Sequence, residues 1–287
     1  MSDIPDQNTM AADQIDALRK LPDAHKYQHG HALVLSGGPG QTGAARLAAR
    51  GALRIGAGLV TLGVPPAAQM EVSAQVTAIM LLRVPDAAAL SDALNDARIS
   101  VLCAGPGLGV ARAAALLPEA LGAARPSVLD ADALTAIGRD GALFDMLHPA
   151  CVLTPHGGEF ARLFPDLADA LEMAPLAARA AILRTAARRA GCTIVLKGPD
   201  TLVAAPSGEC AVHSARGDDA APWLATAGAG DVLAGMIAGL LARGQGPYAA
   251  ARSAVWLHAA CGRHCGPGLI AEDLPEALPA VLASLGV

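Results

Sequence analysis

The feature that most constrains the fold is a rhythm of short apolar runs, each closed by glycine, proline or an acid, with helical stretches between several of them. The runs "HALVLSG" (31–37), "LVTLGV" (59–64), "ISVLCAG" (99–105), "PSVLDADAL" (126–134), "ACVLTP" (150–155), "CTIVLKG" (192–198) and "TLVAAP" (201–206) read as strands. Helical patterns occupy "GAARLAARGALRIGAG" (43–58), "ARAAALLPEALGAA" (111–124) and "LAARAAILRTAARRAG" (176–191), the last with arginines on its wet face. After residue 226 the chain reads as mostly helical. Strands that are apolar throughout are buried on both faces, which predicts an α/β fold with a mainly parallel central sheet and helices on both sides. No internal repeat or low-complexity linker interrupts the pattern. The expectation is a polar leader over residues 1–24, partly disordered and carrying at most one short helix, followed by a single domain over 25–287.

The balance of residues excludes several functions. The chain has 287 residues, 53% of them hydrophobic, so a large core is available with few aromatics. A net charge of −5 without a basic run argues against nucleic acid and anionic membranes. No apolar run reaches the roughly 20 residues of a membrane span. The polar first thirty residues lack a signal-peptide core, so a cytoplasmic location is expected. The six cysteines fit it. Cys103, Cys151 and Cys192 lie in or beside apolar runs, as free thiols do. In "HAACGRHC" the residues His258, Cys261, His264 and Cys265 share part of a helix face, but their spacing matches no zinc pattern and helix packing is the better reading.

In such a sheet, ligands bind beyond the carboxyl ends of the strands. There the first turn, "SGGPGQTGAA" (36–45), matches the dinucleotide fingerprint through Gly38, Gly40 and Gly43. A dehydrogenase would carry an acid at the end of the next strand; "LVTLGVPP" has none, so that reading falls. The loop still suits a polar ligand, with Ala44 and Ala45 permitting close approach. "GPGLG" (105–109) is either a tight turn or a second ligand loop. Asp130 is a weak site candidate, and Asp132 either caps a helix or orients a hydroxyl or metal-bound water. "LTPHGGEF" gathers Thr154, His156 and Glu159 in one strand-to-helix turn, where Glu159 caps a helix, holds magnesium through water, or both. Lys197 ends a strand where a point charge suits phosphate, and the turn through Gly198, Pro199 and Asp200 to Thr201 suggests a hairpin flap over a nucleotide. "TAGAGDVLAG" (226–235) places Asp231 between a glycine turn and an apolar helix. Amides of Gly228, Ala229 and Gly230 at the helix N-terminus form an anion cradle, with Asp231 as cap or as a functional acid.

Together these stretches resemble the ADP/ATP-dependent NAD(P)H-hydrate dehydratases, a carbohydrate-kinase-like family with a ribokinase-like fold. The motifs, in this order from about residue 25 to "GLIAEDLPEALP", are specific as a set. The resemblance implies a three-layer fold and removal of water from hydrated NADH or NADPH. The co-substrate would be ADP or ATP with Mg2+, releasing AMP and phosphate when ADP is used. It implies that Ala45, Gly107, His156 and Asp231 line the damaged-nucleotide site, and that Lys197, Gly198, Pro199, Asp200, Thr201 and Gly230 contact the adenine nucleotide. Asp231 would be the base; no pattern identifies magnesium ligands. A homo-oligomer, with a tetramer as one option, and a separate epimerase are the implied partners. Too few residues precede the first match for a fused epimerase domain, so a stand-alone dehydratase is expected. Ala229 stands where the family usually has Thr or Ser. Gly157 replaces a proline often found after the histidine, and "HSARGDDAAPWLAT" replaces an Asn-Pro-Thr-Gly-Asn-like segment. The alternatives are an alcohol kinase of the same superfamily and a silent nucleotide-binding module.

Overall fold

The computed structural model describes residues 9–287. Nine strands form one sheet in the order β3-β2-β1-β4-β5-β6-β7-β8-β9. They are β1 (His31–Leu35), β2 (Leu59–Val64), β3 (Met80–Arg83), β4 (Val101–Ala104), β5 (Ser127–Leu129), β6 (Cys151–Leu153), β7 (Thr193–Leu196), β8 (Asp200–Ala204) and β9 (Cys210–Ser214). Pairing is parallel from β3 through β7 and antiparallel for β7–β8 and β8–β9. The helices are α1 (Ala12–Asp16), α2 (Gly43–Arg54), α3 (Gln69–Ser73), α4 (Ala87–Leu94), α5 (Val110–Gly122), α6 (Ala131–Arg139), α7 (Gly141–Asp145), α8 (Gly157–Leu163), α9 (Pro165–Met173), α10 (Leu176–Ala190), α11 (Ala229–Ala242), α12 (Pro247–Cys265) and α13 (Asp273–Ser284).

Sequence reading missed β3 and β9. β3 is a sheet edge with four half-buried or exposed residues, so it lacks the continuous apolar run that marks an inner strand. β9 is the opposite edge, and His213 and Ser214 break its apolar run. Of the polar leader, residues 1–8 lie outside the described residues. The rest is anchored: Leu18 is buried in the core, and Gln14 donates to Ser253 Oγ at 3.3 Å. Arg243 donates to the carbonyls of Ala17, Leu18 and Arg19.

The two faces of the sheet pack differently. One is covered by α4, α5, α6, α8 and α10 through leucines and the Phe160–Phe164 pair. The other is covered by α2, α11, α12 and α13 through alanines, valines and glycines. Every residue from Val232 to Ala242 is buried. Gly235 faces the Ala48 backbone and Gly239 faces Ala52, so α2 and α11 run side by side in the same direction. A Cβ on Gly235 would stand 1.9 Å from the Ala48 carbonyl oxygen, so only glycine admits this approach. The consequence is functional: two helix N-termini, with their partial positive charge, end together above the sheet's carboxyl edge.

Candidate active site

One amine organises the site. Lys197, just after β7, has its Nζ 2.7 Å from Asp130 Oδ1 and 3.9 Å from Glu159 Oε2. The same Nζ lies 3.5 Å from where a Cβ of Gly230 would be, so it sits over the N-terminus of α11. Four elements far apart in sequence thus converge: the ends of β5 and β7, the start of α8, and the start of α11. Asp130 is buried and Lys197 largely so, hence their ion pair is a fixed part of the floor.

Asp231 is half-buried in the first turn of α11. Among the described residues its carboxylate accepts no hydrogen bond. Burial, then the charge of Asp130, raise its pKa to about 6; Lys197 opposes the rise, while Asp132 and Glu159 add to it. A carboxylate titrating there is suited to accept a proton near neutral pH. Val232 N–H already donates to Gly228 O, and Ala229 N–H turns toward Thr226 O at 3.4 Å. The amides of Gly230 and Asp231 therefore have no intrahelical acceptor, and the cradle narrows to them. Behind it, the buried His258 ring lies 2.8 Å from Ala229 O through Nε2. A carbonyl only accepts, so Nε2 carries the proton, and burial lowers the ring's pKa to about 4. His258 thus supports the helix start. Among the described residues no group of three or more His, Cys, Asp or Glu is placed to hold a metal, the "HAACGRHC" stretch included.

His156 caps α8. Its Nδ1 accepts from the N–H groups of Gly158 (3.0 Å) and Glu159 (3.4 Å), while Glu159 Oε2 accepts from His156 N–H at 2.9 Å. With Nδ1 accepting, Nε2 carries the ring's donor hydrogen; it lies 3.5 Å from Glu159 Oε1 on an exposed ring. The "GPGLG" loop is held by Asp132, which accepts from Gly109 N–H at 2.8 Å instead of capping its own helix. Gly105, at φ +124°, lies against Asp130 O, where a Cβ would come within 1.7 Å. Ala45, at the third position of α2, is fully buried against the core. Sequence reading missed Glu71 of α3, which accepts from Gly40 N–H at 2.7 Å and from Thr42 Oγ1 and so pins the first glycine loop. Its stretch, "AAQMEVS", carries no motif that marks it.

Next to Lys197 lies a cavity of about 550 Å³, within the range of about 300–1,000 Å³ typical of small-molecule sites. Lys197, Gly198, Pro199, Thr201 and Gly230 line it, with His258, Leu233 and Val255 behind. Five of the six residues expected at the adenine nucleotide therefore share one wall. The sixth, Asp200, does not line it; its carboxylate accepts from Ser214 Oγ at 2.7 Å and pairs with Arg216, which does line the cavity.

Comparison with known proteins agrees with this geometry. A family model described as NAD(P)H-hydrate dehydratase matches residues 32–278. The chain belongs to that family. It is 35% identical to an ADP-dependent (S)-NAD(P)H-hydrate dehydratase of Xanthomonas campestris, over 92% of each chain. It is 40% identical to a bifunctional NAD(P)H-hydrate repair enzyme of Gloeobacter violaceus over 94% of its own length, but spans only 53% of that relative. Among solved structures, the Bacillus subtilis ADP/ATP-dependent NAD(P)H-hydrate dehydratase co-crystallized with ATP/Mg2+ superposes with a TM-score of 0.77 at 27% identity, covering 99% of this chain and 100% of that one. An Enterococcus faecalis ribokinase-like superfamily protein, at 23% identity, covers 99% of both chains with a TM-score of 0.78 and shows the ribokinase-like fold. The dehydratase family and three-layer fold implied by the motifs are thus shown. No helix of the described residues is long and apolar enough to cross a membrane.

Proposed function

We propose that this chain dehydrates hydrated NADH and NADPH, using ADP or ATP to convert the C6 hydroxyl into a phosphate that then leaves. The observation that carries this reading is Asp231. It is a half-buried carboxylate with a raised pKa and no hydrogen bond among the described residues, and it directly follows Gly230, which lines the Lys197 cavity. In the reaction, the C6 hydroxyl transfers its proton to the Asp231 carboxylate as its oxygen bonds to the terminal phosphorus of the nucleotide. The bond from that phosphorus to the bridging oxygen breaks, leaving AMP from ADP or ADP from ATP. The C6–O bond then breaks with release of inorganic phosphate, and loss of the C5 proton to that phosphate or to water forms the C5=C6 double bond of the reduced nicotinamide. The amides of Gly230 and Asp231, with Lys197 above them, face the charge that gathers on the phosphoryl oxygens. The exposed His156 ring and the half-buried Gly107 loop would hold the dinucleotide in place.

Magnesium fits the donor set in a limited way. Mg2+ commonly takes one or two carboxylates plus nucleotide phosphates and waters. Asp130, with one carboxylate oxygen free of a hydrogen-bond donor among the described residues, and Glu159, whose Oε1 lies 3.5 Å from His156 Nε2, would serve. When bound, the ion would offset the phosphate charge.

The test mixes purified protein, hydrated NADH or NADPH, Mg2+ and ADP, and follows reduced-nicotinamide absorbance against ATP and no-nucleotide controls. Nucleotide-dependent recovery that is lost in Asp231→Asn supports the reading. A folded protein that binds ADP but recovers nothing with either nucleotide refutes it. Full recovery by Asp231→Asn removes the base assignment alone.

A further inference from the structure

One wall of the Lys197 cavity is left idle by the chemistry above. It is the face of α12 that carries Val255, His258 and Ala259. Val255 and Ala259 are apolar, as a buried wall requires. His258 is buried too, and a buried imidazole N–H costs stability unless it finds an acceptor. The acceptor is Ala229 O, 2.8 Å from Nε2 and 29 residues away on α11.

The choice of acceptor matters. Ala229 O belongs to the same peptide unit as Gly230 N–H, the first open amide of the cradle. A trans peptide is planar, and its C=O and N–H point in opposite directions. A carbonyl held on His258 therefore aims the Gly230 N–H away from α12. The same bond draws electron density to the oxygen and makes the N–H a stronger donor. This peptide needs an outside hold. It lies between Gly228, at φ +90°, and Gly230, and glycines leave the backbone its widest freedom.

The ring is suited to hold it. Burial lowers its pKa to about 4 against the opposing effect of the Ala229 bond, and Lys197 and His213 add to the fall. At neutral pH the ring is therefore uncharged and carries its one donor on Nε2. The helix that bears it is seated as well. Gly262, one turn beyond His258, lies so close to the Pro222–Leu224 turn that a Cβ there would stand 2.7 Å from Leu224 Cγ.

We propose that His258 is a positioning residue for phosphoryl transfer: through the Ala229–Gly230 peptide it aims the Gly230 N–H at the phosphoryl oxygens. Its part in the reaction rests on the repair reading; its hold on the peptide does not.

The test compares wild type with two variants. His258→Leu keeps the bulk and removes the donor. His258→Gln returns an N–H near the place of Nε2. In the repair assay with ADP and Mg2+, His258→Leu is expected to lower kcat about 3–10-fold, the worth of one hydrogen bond, with KM for ADP within about 2-fold of wild type. His258→Gln is expected to recover most of that loss. The amide-nitrogen resonance of Gly230, read by NMR, is expected to move in His258→Leu and to return in His258→Gln. A raised KM with kcat unchanged makes His258 a plain wall of the cavity and overturns the proposal. So does an unmoved Gly230 resonance, or an equal loss of kcat in both variants, which reduces the ring to packing. If His258→Leu does not fold, the ring nitrogens of the wild type decide: the Nε2–H tautomer supports the proposal and the Nδ1–H tautomer overturns it. The NMR readings need no turnover. A wild type that restores no NADH, but whose Gly230 resonance follows the His258 donor, refutes the repair reading and leaves the hold on the peptide standing.

Discussion

Asp130 and Asp231 are the same chemical group at the start of two helices, and the fold gives them different work. Asp130 is buried and has an amine 2.7 Å away, so its charge is matched and fixed. Asp231 is less buried, lacks a hydrogen bond among the described residues, and faces Asp130, Asp132 and Glu159, so its proton is held until about pH 6. One carboxylate positions Lys197 and the other is left free to take a proton. The comparison teaches that in this site function falls to the acid left without a partner.

The sharpest way to break the contrast is Asp231→Asn, expected to lower turnover about 10²–10⁴-fold while the melting curve stays cooperative. Lys197→Met removes the cation that both acids share. It is expected to raise the nucleotide KM about 10-fold or more and to destabilise the fold by about 1–3 kcal/mol, because Asp130 is left buried without its partner. The same variant sharpens the comparison through pH. In the wild type, log(kcat/KM) is expected to fall one unit per pH unit below about 6, as Asp231 becomes protonated. Lys197 is the charge that holds Asp231 down, so Lys197→Met should move this limb to higher pH; an unmoved limb would mean another group titrates.

The smallest effect is on stability. Asp231's pKa is raised by folding, so the folded state binds its proton more tightly than the unfolded chain does. The cost of its charge is absent below about pH 4, grows through about pH 6 and is constant above. Asp231→Asn should therefore raise Tm by about 2 °C at pH 8, discounted for partial exposure, and give no gain at pH 4. A Tm that falls at pH 8 would mean that the carboxylate has a stabilising partner.

Much of this was legible in residue order. The inner strands β1, β2 and β4 to β8 announce themselves because strands buried on both faces must be apolar throughout, and β3 and β9 escaped because edge strands need not be. Asp231, His156 and Lys197 were legible because each closes or follows a motif at a strand end or helix start. Glu71 was not, because its partners Gly40 and Thr42 lie 31 and 29 residues away on another element.

The sequence by itself determined the parallel α/β sheet, the helix behind Asp231 and the turn chemistry at the strand ends, because those depend on periodicity and local backbone preference. Tertiary structure alone decided that Asp132 holds a loop and that Asp200 pairs with Ser214 and the cavity-lining Arg216. Those outcomes turn on which charges meet across elements and how much water remains between them, and neither is written in the spacing of residues along one chain.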